Sequence, residues 1–305
     1  MNLTAWSTES IVDDIRVSDG TFINNTSGTI KFGIDGLDDV SHSGTPSITG
    51  VGNATLYNLG MIDGTYTGEN PEGMPRSMFY LGGDSPDDIV TWVNGTSGII
   101  VADGKSPVLE DIGPSTPYID VLDGVFGHGE HDEGTIEATN NGSIYYDATA
   151  IVLDDGSDAR VSEEAISLGN SATNTSEFTN NGTLTVTGDG ATAMKGQNNT
   201  TLINNGIINL GDPDKTAAEN GTGLVAFKAY GSNVTAVNQG TINVNANQSY
   251  IFDRNDTYAH LVNTGNIKIA DDVTNWTMVK NESNSVVDTS TVYLSTVSNY
   301  TVGTT

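Results

Sequence analysis

Cysteine is absent from the 305 residues, which excludes disulfide staples and zinc thiolate sites. Positive charge is scarce: 11 Lys and Arg face 39 Asp and Glu, a formal net charge of −28. A field of that sign repels nucleic acid and anionic lipid, so neither is expected as a partner. No apolar run approaches the ~18 residues of a membrane-spanning helix, so direct membrane insertion of this segment is not expected. Nor does a signal peptide show: Met1-Asn2-Leu3 leads directly into polar sequence, which reads as a mature or truncated secreted chain. Only four arginines are present, Arg16, Arg76, Arg160 and Arg254. That leaves little to hold an acidic sugar.

What remains is a chain of short β-branched bursts separated by Gly, Asn and Asp, with 36 glycines and 36% hydrophobic residues. Three Trp, eleven Tyr and seven Phe accompany regular Ile, Val and Leu, too much apolar content for a disordered acidic tail. Many short strands with polar turns are expected.

A box recurs along the chain, Asn-x-Gly-x-Ile/Leu. It stands at Asn58-Leu59-Gly60-Met61-Ile62, Asn140-Asn141-Gly142-Ser143-Ile144 and Asn180-Asn181-Gly182-Thr183-Leu184. It returns at Asn204-Asn205-Gly206-Ile207-Ile208, Asn238-Gln239-Gly240-Thr241-Ile242 and Asn263-Thr264-Gly265-Asn266-Ile267. Looser versions surround Gly28-Thr29-Ile30 and Gly98-Ile99-Ile100. The expected physics is a turn in which Asn tolerates a left-handed backbone and Gly supplies a conformation other residues avoid. Alternating strands follow, with Leu184 and Val186, or Ile242 and Val244, on one face.

Successive box glycines lie 32, 38, 44, 40, 24, 34 and 25 residues apart from Gly28 to Gly265. The two shortest intervals match one coil of a solenoid; the longer ones hold a coil with insertions or more than one coil. A single coil cannot bury its apolar face, whereas stacked coils can. The expected fold is therefore all-β, a right-handed parallel β-helix of roughly ten to twelve coils and ~50 Å at ~4.8 Å per layer. Asn140, Asn180, Asn204, Asn238 and Asn263, with Gly142, Gly182, Gly206, Gly240 and Gly265, would form a structural turn ladder. A β-sandwich with Asn-Gly hairpins is the alternative, but it has no reason to repeat one box over the whole chain. The expected organisation is a cap over 1–20, a β-helix over 21–285 with excursions near 64–92 and 104–134, and a coil or cap over 286–305.

The stretch Phe178-Thr179-Asn180-Asn181-Gly182-Thr183-Leu184-Thr185-Val186, followed by Gly188-Asp189-Gly190-Ala191-Thr192-Ala193-Met194, resembles passenger domains of bacterial autotransporter adhesins. So does Leu202-Ile203-Asn204-Asn205-Gly206-Ile207-Ile208-Asn209-Leu210. The similarity lies with the group that includes the self-associating adhesins, and covers about 135–280 well and 20–134 loosely. It implies secretion and display at the outer membrane of a Gram-negative bacterium, through a C-terminal β-barrel that this segment lacks. It further implies adhesion to a host protein or glycan, or to the same protein on a neighbouring cell, with roles in biofilm and virulence.

Catalytic signals are weak. Gly82-Gly83-Asp84-Ser85-Pro86 reads as a turn, since no protease-like domain precedes Ser85 and His42 is the one upstream histidine. Paired carboxylates at Asp87-Asp88, Asp154-Asp155 and Asp271-Asp272 are adjacent, so on a strand they point to opposite faces. The chain is expected to be no enzyme and to need no cofactor; a carbohydrate-active β-helix is the alternative. His128-Gly129-Glu130-His131-Asp132-Glu133 is the densest set of potential metal ligands, and Asp212-Pro213-Asp214 with Glu219 a sparser one; both read more simply as solvated acidic turns. For a partner, Arg76, Met78, Phe79 and Tyr80 group as an interface cluster would, unless the aromatics are core residues of another coil. Prolines 107, 114 and 117 mark the second excursion.

Overall fold

The computed structural model describes residues 15–31, 48–65, 78–103, 109–111, 133–149, 163–169, 175–254, 259–281 and 300–302. Among them run twenty-six strands and no helix. Three strands make a coil. The first coil is β1 (Ile15–Ser18), β2 (Thr21–Asn24) and β3 (Thr29–Lys31); the second is β4 (Ile48–Val51), β5 (Thr55–Asn58) and β6 (Met61–Gly64). The third is β7 (Phe79–Gly82), β8 (Ile89–Asn94) and β9 (Ile99–Asp103), and the fourth β10 (Leu109–Asp111), β11 (Thr135–Asn140) and β12 (Ser143–Asp147). Next come β13 (Glu164–Leu168), β14 (Thr175–Asn180) and β15 (Thr183–Thr187), then β16 (Thr192–Gly196), β17 (Thr200–Asn204) and β18 (Ile207–Leu210). The seventh coil is β19 (Val225–Ala229), β20 (Val234–Asn238) and β21 (Thr241–Val244); the eighth is β22 (Ser249–Arg254), β23 (His260–Asn263) and β24 (Asn266–Ile269). A partial ninth consists of β25 (Trp276–Asn281) and β26 (Tyr300–Val302).

Every third strand pairs in parallel with its counterpart one coil away, which gives three sheets of nine, eight and nine strands. Sheet A begins with β1, sheet B with β2 and sheet C with β3. This is the parallel β-helix expected from the repeat. Among the described residues it has eight full coils and part of a ninth rather than ten to twelve, because each long box interval holds one coil with an insertion. The strand at Phe79–Gly82 sits inside the stretch assigned to the first excursion, and Leu109–Asp111 inside the second. Likewise Ile15–Ser18, placed in the cap, is already paired with Ile48–Val51. Of the coil or cap expected over 286–305, residues 286–299 and 303–305 lie outside the described residues.

Alternation fixes what faces inward. Leu184, Val186, Ile242 and Val244 are fully buried, as are Trp92, Phe178, Phe227 and Phe252. Aromatic rings stack through the core: Phe79 meets Trp92 edge-on at 5.4 Å, and Phe227 lies over Phe252 at 5.3 Å. Pairs of this kind contribute about 1 kcal/mol each beyond burial.

The corner from sheet B to sheet C is the invariant part. Two residues connect the sheets in six coils, and four in the coils of Asn24 and Asn94. At that corner the last residue of every sheet B strand is a buried Asn: Asn24, Asn58, Asn94, Asn140, Asn180, Asn204, Asn238 and Asn263. Each Nδ2 donates to the next Oδ1, at 2.8, 2.8, 2.8, 2.7, 2.8, 2.7 and 2.6 Å in turn. The second amide hydrogen reaches a backbone carbonyl of the next coil, such as Asn180 Nδ2 to Ile207 O at 3.0 Å. The ladder therefore includes Asn24, Asn58 and Asn94 as well as the five named from the sequence. Asn24 and Asn94 escape a strict box because Thr-Ser precedes their glycines, lengthening the turn by two residues.

The glycine has a different cause from the one expected. None of Gly60, Gly142, Gly182, Gly206, Gly240 and Gly265 has positive φ, nor does any ladder Asn; the positive-φ Asp19, Asn199, Asn233 and Gln248 serve other turns. What excludes a side chain is the neighbouring coil. A Cβ on Gly206 would lie 2.2 Å from Gly182 O, and one on Gly182 2.0 Å from Gly142 O. Those carbonyls are fixed because they accept from the following coil, as Gly182 O does from Ile207 N at 2.8 Å. Gly206→Ala is expected to lower the urea-unfolding free energy by about 2 kcal/mol or more through overpacking against fixed backbone. Gly20→Ala, whose nearest contacts would be 3.5 Å away, should change it by less than about 0.5 kcal/mol. Equal effects would refute the steric account.

Candidate binding surfaces

With the inward faces filled, function must lie on outward columns and turns. On sheet B the register stacks Thr21, Thr55 and Thr91, then Glu137 and Glu177, then Thr201 and Thr235, and finally His260. Beside it runs a second column: Ile23, Tyr57 and Val93, then Thr139 and Thr179, then Ile203, Val237 and Val262. These residues are partly or fully exposed. Two glutamates and one histidine are the only side chains of both columns that ionise near neutral pH, in a chain of net charge −28. At ~4.8 Å per strand the face is about 34 Å long. β-branched side chains hold few rotamers there, so the surface is stiff and costs little entropy to cover.

Sheet C turns out a more mixed face. Met61 and Ile99 stack in adjacent coils and stand 37% and 48% exposed. Further along the sheet, in the fifth to seventh coils, Asn243 Nδ2 donates to Asn209 Oδ1 at 2.8 Å, and Asn209 Nδ2 to Thr185 Oγ1 at 2.9 Å, a short polar ladder on the outward side of the strands. Sheet A is the most covered: the outward residues Thr49, Tyr80, Ser167 and Asp253 are buried.

The expected interface cluster is not assembled. Met78, Phe79 and Tyr80 are buried at 0%, 1% and 3% exposure, because Phe79–Gly82 is a sheet A strand and Phe79 packs on Trp92. A partner cannot reach them. Arg76 lies outside the described residues, as do prolines 107, 114 and 117, Asp154-Asp155 and His128 to Asp132. Gly82 to Pro86 makes the turn it was read as: Asp88 Oδ2 accepts from the backbone of Asp84 and Ser85, each at 2.9 Å.

The carboxylates of the Asp212–Glu219 turn are engaged with their own backbone. Asp212 Oδ1 accepts from Asp214 N at 3.0 Å, and Glu219 Oε2 from Thr216 N at 2.9 Å and Thr216 Oγ1 at 2.7 Å. Asp272 Oδ2 ties the same turn to the corner two coils further on through Ala217 N at 2.7 Å. Among the described residues no group of three or more His, Asp or Glu is placed to hold a metal ion.

Comparison with known proteins gives a family and a bacterial relative. The family model described as the BigA fourth domain matches residues 16–274. A Salmonella typhimurium protein, BigA, provisionally described as a surface-exposed virulence protein, is 36% identical over 158 residues. That match covers 45% of this chain and 8% of the Salmonella protein, so the matched stretch spans less than a tenth of the relative's length. No solved structure matches.

Glu219 gives a local test of the turn. The Thr216 hydroxyl, then the Thr216 N–H, hold its carboxyl below the usual glutamate range, with Lys215 adding a smaller pull and slight desolvation opposing. A depressed folded value means that any stabilisation is present above the unfolded pKa and lost as pH falls through the folded one. Thr216→Val should shift the Glu219 midpoint upward in an NMR titration; an unchanged midpoint would contradict the assigned contact.

Proposed function

This chain belongs to the BigA fourth-domain family, and from that premise we propose that it is an adhesive rod segment of a bacterial cell-surface protein. The rod presents the outer face of sheet B to a host protein or glycan, or to the same protein on a neighbouring cell. It acts as a non-enzymatic binding module, displayed at the outer membrane as the autotransporter resemblance implies, and promotes attachment, aggregation and biofilm growth.

The observation that carries this reading is the near absence of charge on sheet B. Net charge of −28 opposes close approach of two copies, or of an acidic cell surface, at low salt. The register moves that charge elsewhere: along two columns of eight residues only Glu137 and Glu177 are acidic. A flat, stiff face of Thr, Val and Ile can be covered laterally without burying an unpaired charge. Hydroxyls on one edge and β-branched methyls on the other supply both hydrogen bonds and apolar area. The description of the Salmonella typhimurium relative as surface-exposed and linked to virulence supports the setting.

Display on non-adherent cells tests it. Thr201→Glu combined with Thr235→Glu would extend the Glu137–Glu177 column to four carboxylates; Thr241→Glu combined with Asn266→Glu adds the same two charges in adjacent coils of sheet C. Clumping or binding to host-cell extract should fall at least tenfold for the sheet B variant, a loss of ~1.4 kcal/mol or more. The sheet C variant should behave as wild type. Equal behaviour of both variants, with unchanged thermal midpoints, would remove sheet B as the adhesive face.

A further inference from the structure

Lys195 and Lys228 are 33 residues apart in sequence and neighbours in the structure, paired in register on sheet A. Both point outward, alternating with the buried Met194 and Gly196 and the buried Phe227 and Ala229. Like charges in adjacent parallel strands repel, and here one carboxylate oxygen offsets both. Glu164 Oε1 lies 3.3 Å from Lys195 Nζ and 3.2 Å from Lys228 Nζ. Each ammonium has three N–H donors, so several remain after Glu164 has taken its share. The side chains are only 20% and 23% exposed, which limits how well water screens the excess positive charge. One coil further, Asp253 stands in register beside Lys228 and takes Lys280 at 3.3 Å. Along this column Lys195, Lys228 and Lys280 face the two carboxylates of Glu164 and Asp253, which leaves one positive charge over among these five groups.

An aromatic ring borders the pair. Tyr230 follows the last residue of β19, its backbone N anchored to Gly196 O at 2.8 Å. It is 47% exposed, among the most open large side chains described. Lys195 Nζ lies 5.9 Å from its ring centroid. An exposed ring beside two incompletely neutralised ammonium groups has the parts of an acidic-sugar subsite. The ring offers an apolar face for the C–H side of a pyranose, and its hydroxyl a hydrogen bond. The ammonium groups offer charge-assisted hydrogen bonds to an anionic substituent.

We propose that Lys195, Lys228 and Tyr230 form a binding site for an acidic sugar, whose carboxylate or sulfate ester lies between the two ammonium groups and whose ring rests on Tyr230. Sequence alone points the other way, since the cations are few and scattered; only the coil register brings two of the eleven side by side. This site rests on the reading of the chain as a binding module and gives it a ligand class on a face other than sheet B.

Saturation-transfer NMR on the whole chain tests it, with glucuronate, glucose 6-sulfate, glucose and acetate as probes. Binding of at least one acidic sugar is expected with a Kd on the order of 1–10 mM, at least tenfold tighter than acetate or glucose and weakened by salt. Lys228→Gln and Tyr230→Ala should each weaken it at least fivefold, while Lys31→Gln on sheet C should not. Tyr230→Ala leaves the Glu164 ion pairs intact, so a folding defect in the lysine variant cannot decide the matter alone. Acetate binding as tightly as glucuronate would overturn the sugar assignment. Undetectable binding of both acidic sugars at 50 mM, or Tyr230→Ala binding like wild type, would overturn the site. Loss of sugar binding with cell adhesion intact would strike this site alone; adhesion lost in the sheet B variant with sugar binding kept leaves it standing.

Discussion

A carboxamide sealed inside a protein must find partners for two donors and an acceptor, or cost about 1–3 kcal/mol for each group left bare. Eight asparagines at the corner between sheets B and C are sealed in this way. A neighbour of the same kind one coil away satisfies them, with the remaining hydrogen going to a carbonyl of that coil. The arrangement works at the strand spacing of about 4.8 Å and at one register. Slipping a strand by one residue would push its Asn outward and bring a polar residue in. The register that stacks the core aromatics, the sheet B threonines and the two sheet A lysines is thus fixed at this corner.

The corner also explains how a chain with such uneven intervals builds so even a rod. Two or four residues turn from sheet B to sheet C, yet 23 separate Asp111 from Thr135, and 16 separate Asp147 from Glu164. Length varies at the other two corners, where loop closure costs only slowly more as residues are added. Glycine keeps the short corner short. With a carbonyl of the adjacent coil about 2 Å from where a Cβ would sit, larger residues would pry the coils apart and weaken the amide bonds beneath. Asn and Gly are therefore one device, which is why they recur together.

That recurrence made the fold readable, since Asn180-Asn181-Gly182 and Asn204-Asn205-Gly206 announce a coil wherever they fall. The coil count was less readable, because 44 residues between Gly98 and Gly142 hold one coil with a long insertion as easily as two bare coils. Met78, Phe79 and Tyr80 look like an exposed cluster beside Arg76 until Phe79–Gly82 is paired with its neighbours and turns Phe79 onto Trp92. The sheet A lysines illustrate the opposite failure. Lys195 and Lys228 carry no local pattern, and their proximity exists only through pairing across one coil. Surface chemistry in a solenoid is written between coils, so it becomes legible after the register is known.

Side-chain amide hydrogen exchange, followed by NMR with assigned Asn resonances, is the most direct measurement of the ladder. The Nδ2 protons of Asn140, Asn180, Asn204 and Asn238 should exchange only through global or sub-global opening, orders of magnitude slower than free amides. Those of Asn181 and Asn205, one position on and exposed, donate at 3.0 Å to Asn141 Oδ1 and Asn181 Oδ1 where water can replace the bond, and should exchange within about tenfold of the free-amide rate. Comparable rates for the two sets would mean that the buried ladder does not hold the coils in register.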